Sequence, residues 1–307
     1  MRPVAAATLA LLALPALLGA QLLRPDDDAK FGPLQLGESW KRSYAEGLAE
    51  AKSLKSRQLL VTFSGASCTQ CDRMDKLTIP SRAFEDLFEG KALVRLDWES
   101  VEAKALAARY EIQGPPAWLW LTDEGLVVAL LGGATSQAEW FQTMQASQEY
   151  WNAYQRKLVR EQAEPENTRL VYEIAVETWK RGGEAQSEAR FRRLGEDPKT
   201  PKEIRTGSLA YLAAIDLEAR RADDAEKHLK LLLSLTDDPA TREKAELRLA
   251  DVEVLRGNRP RALQLLKTFS KEHPGSPNLA DVNQLIAALQ GSGAPAAPGG
   301  NPAPKKK

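Results

Sequence analysis

The sequence predicts an α/β domain followed by an all-α domain of repeated helix pairs. Three observations carry this expectation. Short apolar runs alternate with helical patterns between Glu38 and Gln148, both cysteines of the chain sit at the first strand-to-helix junction, and the second half repeats itself. A chain of 307 residues that is 43% hydrophobic and 27% charged can bury a sizeable core and fits two domains. Its 42 basic residues balance 42 acidic ones, so no overall field favours nucleic acid, and Lys305, Lys306 and Lys307 are too few to alter that.

Arg2 precedes an uncharged run from Val4 to Ala20, broken by Pro15 and ending Leu18-Gly19-Ala20. Residues 1–20 therefore read as a secretory signal peptide with cleavage after Ala20. The alternative is an uncleaved anchor, because Leu22 and Leu23 extend the run toward the ~20 residues of a membrane span. In both readings Arg2 stays inside and Asp26-Asp27-Asp28 goes out. The rest of the chain is then exported, periplasmic or extracellular, and meets a membrane only if the segment is retained. Residues 21–37, with Pro25, Gly32 and Pro33, read as a leader.

The first domain is expected over residues 38–148. Trp40, Tyr44, Leu48 and Ala51 recur at helical spacing, and Leu59 to Phe63 is a short, partly β-branched apolar run that predicts a buried strand. Met74 and Leu77 continue a helix after Cys71 until Pro80, and Ser81 caps a further helix from Arg82 to Phe88. Ala92 to Trp98 predicts a strand, and Val101, Leu106 and Tyr110 a helix. Ala117 to Leu121 and Leu126 to Leu131 form a hairpin whose loop uses Gly125. Trp118 and Trp120 are expected in the core, and Asp97 at a solvated strand end. Ser136 starts a long helical pattern, of which residues 149–164 serve as a linker helix ending at Glu164-Pro165.

Residues 165–290 are expected to be helical repeats. A shift of 37 positions carries Leu212-Ala213 onto Leu249-Ala250, Ala225 onto Ala262 and Leu229 onto Leu266. A weaker copy lies around Ala175, Trp179, Gly182-Gly183 and Ala189, giving about three helix pairs. His228 and His273 are placed on the surface of these repeats. Residues 291–307 consist of Gly, Pro, Ala, Ser, Asn and Lys, cannot bury a core and are expected to be disordered.

The chemistry centres on Cys68-Thr69-Gln70-Cys71. A thiol at the start of a helix meets unpaired N–H groups and the positive dipole end, which favour the thiolate, the attacking species in disulfide exchange. Cys68, the more exposed, is the expected nucleophile and Cys71, one turn inward, the resolving thiol. A static disulfide or two ordinary buried thiols remain open as readings. Zinc is hard to build, since four ligands are needed and both histidines lie in the repeats. Two thiolates could hold a copper(I) ion, yet the spacing favours redox exchange, and no cofactor is expected.

The order αβαβαββα from Trp40 onward, with the cysteines at the first β-to-α junction and Tyr110-Glu111-Ile112-Gln113-Gly114-Pro115-Pro116 before the hairpin carrying Gly125 and Gly132, resembles the thioredoxin fold over roughly Glu38 to Gln148. The segment from Cys71 to Pro80, with Met74, is most similar to exported thioredoxin-like proteins with divergent sites. The resemblance implies a cis Pro116 lying against the cysteine pair, and a substrate segment bound by the backbone at Pro115 and Pro116. It also marks departures. Pro115 lacks the N–H that would donate to a bound peptide, Thr62 stands where the family has a buried acid, Ser67 where it has a tryptophan, and Thr69-Gln70 where it has Gly-Pro. Leu249-Ala250, Gly257-Asn258, Ala262, Leu266 and Pro274 resemble the order of tetratricopeptide (TPR) repeats. Together these imply a thiol-disulfide oxidoreductase acting on protein thiols and disulfides, with the TPR-like repeats docking a protein partner. The rival reading is a binding scaffold in which the first domain is a non-catalytic platform.

Overall fold

The computed structural model describes residues 39–291. The expected signal and leader segments, and the tail beyond Gly291, lie outside the described residues. Among those described, no helix is long and apolar enough to cross a membrane. The chain divides into two compact units between Ala153 and Tyr154.

The first unit is built on a five-stranded sheet in the order β1-β3-β2-β4-β5. Its strands are β1 (Trp40–Lys41), β2 (Gln58–Ser64), β3 (Ala92–Asp97), β4 (Ala117–Thr122) and β5 (Val127–Gly132), and its helices are α1 (Tyr44–Ser53), α2 (Thr69–Leu77), α3 (Arg82–Phe88), α4 (Val101–Tyr110) and the start of α5 (Gln137–Ala163). β1, β3 and β2 run parallel, while β4 pairs antiparallel with both β2 and β5. Trp40 departs from the expected helix. It pairs with Leu93 in β1 and stacks on Phe84, and α1 begins only at Tyr44, where the Ser43 side chain accepts from Ala45 N.

Alternation along the strands separates two cores. On one face Leu59, Val61, Phe63, Val94, Leu96, Leu119 and Leu121 pack with α1 and α4. Gly47 lets α1 approach, because a Cβ there would fall 2.0 Å from Val94 Cγ2. The other face is aromatic: Phe84 lies against Trp40, Phe88, Trp118 and Trp140, and Phe88 against Trp120. Trp118 and Trp120 are thus core residues, as the strand pattern predicts. At the hairpin Thr122 N donates to Leu126 O and Leu126 N donates to the Thr122 side-chain Oγ1 around Gly125 (φ 83°), and Leu126 falls in the loop instead of in β5. α5 opens on a reciprocal cap: Ser136 Oγ accepts from Glu139 N, and the Glu139 carboxylate accepts from Ser136 N.

The second unit contains α6 (Thr168–Lys180), α7 (Glu184–Glu196), α8 (Lys202–Glu218), α9 (Ala222–Leu235), α10 (Pro239–Leu255), α11 (Arg259–Glu272) and α12 (Leu279–Gly291). Three helix pairs close with the same turn. Gly183, Arg221 and Asn258 each donate to the carbonyl five residues back, on Thr178, Asp216 and Glu253, after a left-handed residue, Gly182, Arg220 or Gly257. The faint first copy in the sequence is therefore a full helix pair in geometry.

His228 overturns the surface placement expected of it. Ala225, His228, Leu229 and Leu232 form the buried stripe of α9, and His228 Nδ1 lies 2.7 Å from Asp216 Oδ2. Asp216, equally buried, also accepts from Arg221 Nε at 2.8 Å. His273 is half-buried against Glu246 at 2.8 Å.

Phe84→Ala is expected to destabilise the first unit by about 3–5 kcal/mol, the usual cost of deleting a buried aromatic ring, measured by denaturant unfolding followed through tryptophan fluorescence. Burial opposes ionisation of Asp216, yet hydrogen bonds from His228 and Arg221 hold its carboxyl below the usual carboxylate range. A carboxylate depressed in the native state stabilises above its unfolded pKa of about 4 and loses that contribution as pH falls through the native value. Asp216→Asn should therefore lower the urea midpoint of the second unit at pH 7, with the gap from wild type closing as pH drops below 4. An unchanged gap between pH 7 and pH 3 contradicts this.

Candidate active site

β2 ends at Ser64 and the chain turns through Gly65, Ala66 and Ser67 into α2. Cys68 is the N-cap of that helix: its Sγ accepts from Cys71 N at 3.1 Å, and its carbonyl accepts from Asp72 N. The two cysteines are joined by a disulfide with a Cα–Cα distance of 5.2 Å. Cys68 is half-buried, whereas Cys71 is 3% exposed. The helix start thus presents one sulfur to solvent and keeps the other beneath it.

Two further strand ends meet this loop. Trp98 follows β3, donates its backbone N–H to Ser64 O at 2.7 Å, and carries Lys104 over its ring at 4.2 Å. The Pro115-Pro116 peptide bond that leads into β4 is cis, and Pro116 O accepts from Gly133 N at 2.9 Å. Cys68, Ser67, Trp98, Pro115 and Pro116 line one concave pocket of about 480 Å³. All four residues singled out in the sequence, Cys68, Cys71, Pro115 and Pro116, therefore come together, three around the pocket and Cys71 below it. Asp97 is exposed and accepts from Glu99 N at 3.0 Å, a strand-end turn with no part in the pocket.

The departures from the thioredoxin pattern have structural counterparts. Thr62 is buried in β2 and donates Oγ1 to Val94 O at 3.4 Å, so the strand offers no carboxylate beneath the cysteines. Ser67 is exposed at the rim. Pro115 contributes no backbone donor to the pocket.

Sequence reasoning missed a partly buried ion pair on the inner side of the site. Arg95, mid-strand in β3, donates through both Nη atoms to the Asp75 carboxylate and at 2.8 Å to Ser64 Oγ. A charged residue inside the run Ala92 to Leu96 was the available signal. In the second unit Glu246, Glu272 and His273 bring three ligand atoms within 4.8 Å of one another, short of the four that structural zinc takes.

Residues 39–122 match the model of a family described as Thioredoxin-like, and the first unit has that fold. Among solved structures, a thioredoxin from Thermus thermophilus is 25% identical, covering 35% of this chain and 84% of its own, with a TM-score of 0.31. A provisionally assigned disulphide-isomerase from Bacteroides thetaiotaomicron is 24% identical over 36% of this chain and 90% of its own, TM-score 0.32. The reduced C-terminal domain of DsbD from Neisseria meningitidis is 18% identical over 35% and 98%, TM-score 0.31. No curated protein matches the chain.

After reduction, Cys68 should alkylate first with iodoacetamide, with an apparent pKa below the ~8.5 of a free thiol, and Cys71 should react slowly because it is buried. Peptide mass spectrometry across pH reads both, and equal labelling of the two cysteines would contradict the assignment.

Proposed function

We propose that this chain is an exported thiol-disulfide oxidoreductase, and that its helical unit docks a protein partner in the manner of TPR repeats. The observation that carries the redox reading is the Cys68–Cys71 disulfide at the capped start of α2, with Cys68 opening onto the pocket beside Pro116. In the reducing direction, the Cys68 thiolate attacks a substrate disulfide, one substrate sulfur leaves as a thiolate, and a mixed disulfide forms. Cys71 then attacks Cys68 Sγ, releases the second substrate sulfur and regenerates the internal disulfide. Two electrons pass to the substrate, and the reverse sequence oxidises a dithiol. Protein thiols and disulfides are the substrate class that suits the open pocket.

A second reading, a non-catalytic platform for the helical unit, is favoured by Thr62 in place of an acid and by the missing donor at Pro115. Export rests on the apolar run from Val4 to Ala20, and the three identical helix-pair turns support the docking role.

Equilibration of the full chain against glutathione and dithiothreitol buffers is expected to show a reversible two-electron couple between about −270 and −120 mV, the span from thioredoxin to strong periplasmic oxidants. Cys71→Ser should accumulate a mixed disulfide on Cys68, and Cys68→Ser should form none. An inert pair in the native protein would favour the platform reading.

A further inference from the structure

The resolving thiol must lose a proton before it attacks, and the strand beneath it offers only Thr62, a hydroxyl already bonded to Val94 O. The buried carboxylate of the helix is Asp75, four residues after Cys71 and so on the same face of α2, at 7% exposure, whereas Asp72 is exposed. Cys71, Asp75, Arg95, Thr62 and Trp118 line one small cavity of about 10 Å³, the lower limit of the space a single water needs. Trp118 is buried, and its Nε1 has no partner among the described residues. The cavity lining therefore combines the resolving cysteine, a carboxylate and a residue with an unspent donor.

We propose that Asp75, held in place by Arg95, accepts the proton of the Cys71 thiol across this cavity. This rests on the redox reading above and names the base which that reading requires. Arg95 is the positioning residue. Its two Nη atoms fix both carboxylate oxygens, its bond to Ser64 Oγ ties the pair to the end of β2, and its charge makes a buried carboxylate tolerable. In the resolving step the proton passes from Cys71 Sγ to the Asp75 carboxylate. The Cys71 thiolate attacks Cys68 Sγ, the Cys68–Cys71 bond forms, and the bond from Cys68 to the substrate sulfur breaks. The substrate leaves as a thiolate, which takes a proton from solvent. In the opposite direction, protonated Asp75 returns the proton to Cys71 as it departs.

The reduced full-length protein mixed with dithiobis(nitrobenzoate) separates the two steps in one trace. The first thionitrobenzoate released reports attack by Cys68, and the second reports resolution by Cys71. Asp75→Asn is expected to leave the first phase intact and to slow the second at pH 7 by at least about tenfold, within the reach of general base catalysis. The deficit should shrink as pH rises beyond the ~8.5 of a free thiol, where a growing share of the buried thiol ionises unaided. Asp75→Asn/Arg95→Gln, which leaves no unpaired buried charge, should show the same defect, and Asp75→Glu should recover part of the rate. A wild-type second phase in both variants that lack the carboxylate, Asp75→Asn and Asp75→Asn/Arg95→Gln, or equal slowing of both phases, overturns the proposal while leaving the oxidoreductase intact. Absence of the first phase in the unmodified protein would overturn the redox reading and this one with it.

Discussion

The central strand β2 is hydrogen-bonded along both edges, and the site depends on that constraint. Ser64 is paired to Asp97 of β3, and Phe63 to Ala117 of β4. Fixing those registers brings the end of β2, the end of β3 and the start of β4 to one margin of the sheet. Trp98 and Pro116 adjoin those ends and Cys68 follows β2 after three residues, so their convergence is a product of strand pairing and needs no long loop. A slip of one residue would turn every side chain of β2 to the opposite face and exchange the aliphatic core for the aromatic one.

The two faces differ in ways that matter for the cysteines. The aromatic face carries the row Arg95, Thr62 and Trp118 across three strands, directly paired in register, and α2 lies over it through Met74 and Asp75. A charge in such a row is costly unless it is matched, and the match comes from the helix that carries Cys71. The salt link that settles Arg95 in the sheet also sets how α2 sits behind the disulfide. Removal of one partner would leave the other buried and unpaired, which is why the neutral double variant is the informative control.

Much of this was legible in the chain. The short apolar runs, the capping serines, the hairpin glycine and the cysteine spacing each state a local requirement that the fold satisfies. What the sequence concealed were pairings between distant elements. Trp40 keeps helical spacing with Tyr44 and Leu48, but its partner Phe84 lies on the other face of the sheet and draws it into β1. His228 looks like a polar residue on a charged helix, although its place in the stripe with Ala225, Leu229 and Leu232 was a usable sign of burial. Asp216, which makes that burial tolerable, sits on the preceding helix. Asp75 and Arg95 are of the same kind, each ordinary alone and meaningful only as a pair.

The division into two units also partitions the sulfur of the protein. Both cysteines, and the described methionines Met74 and Met144, belong to the first unit, and from Tyr154 onward the chain contains neither residue type. With two cysteines only one intramolecular pairing is possible, so oxidative folding has no scrambled isomers to sort. The helical unit must reach its structure by packing and ion pairs alone, and sulfur oxidation cannot touch it. The side chains that a change in the thiol environment can modify are thus confined to one half of this molecule.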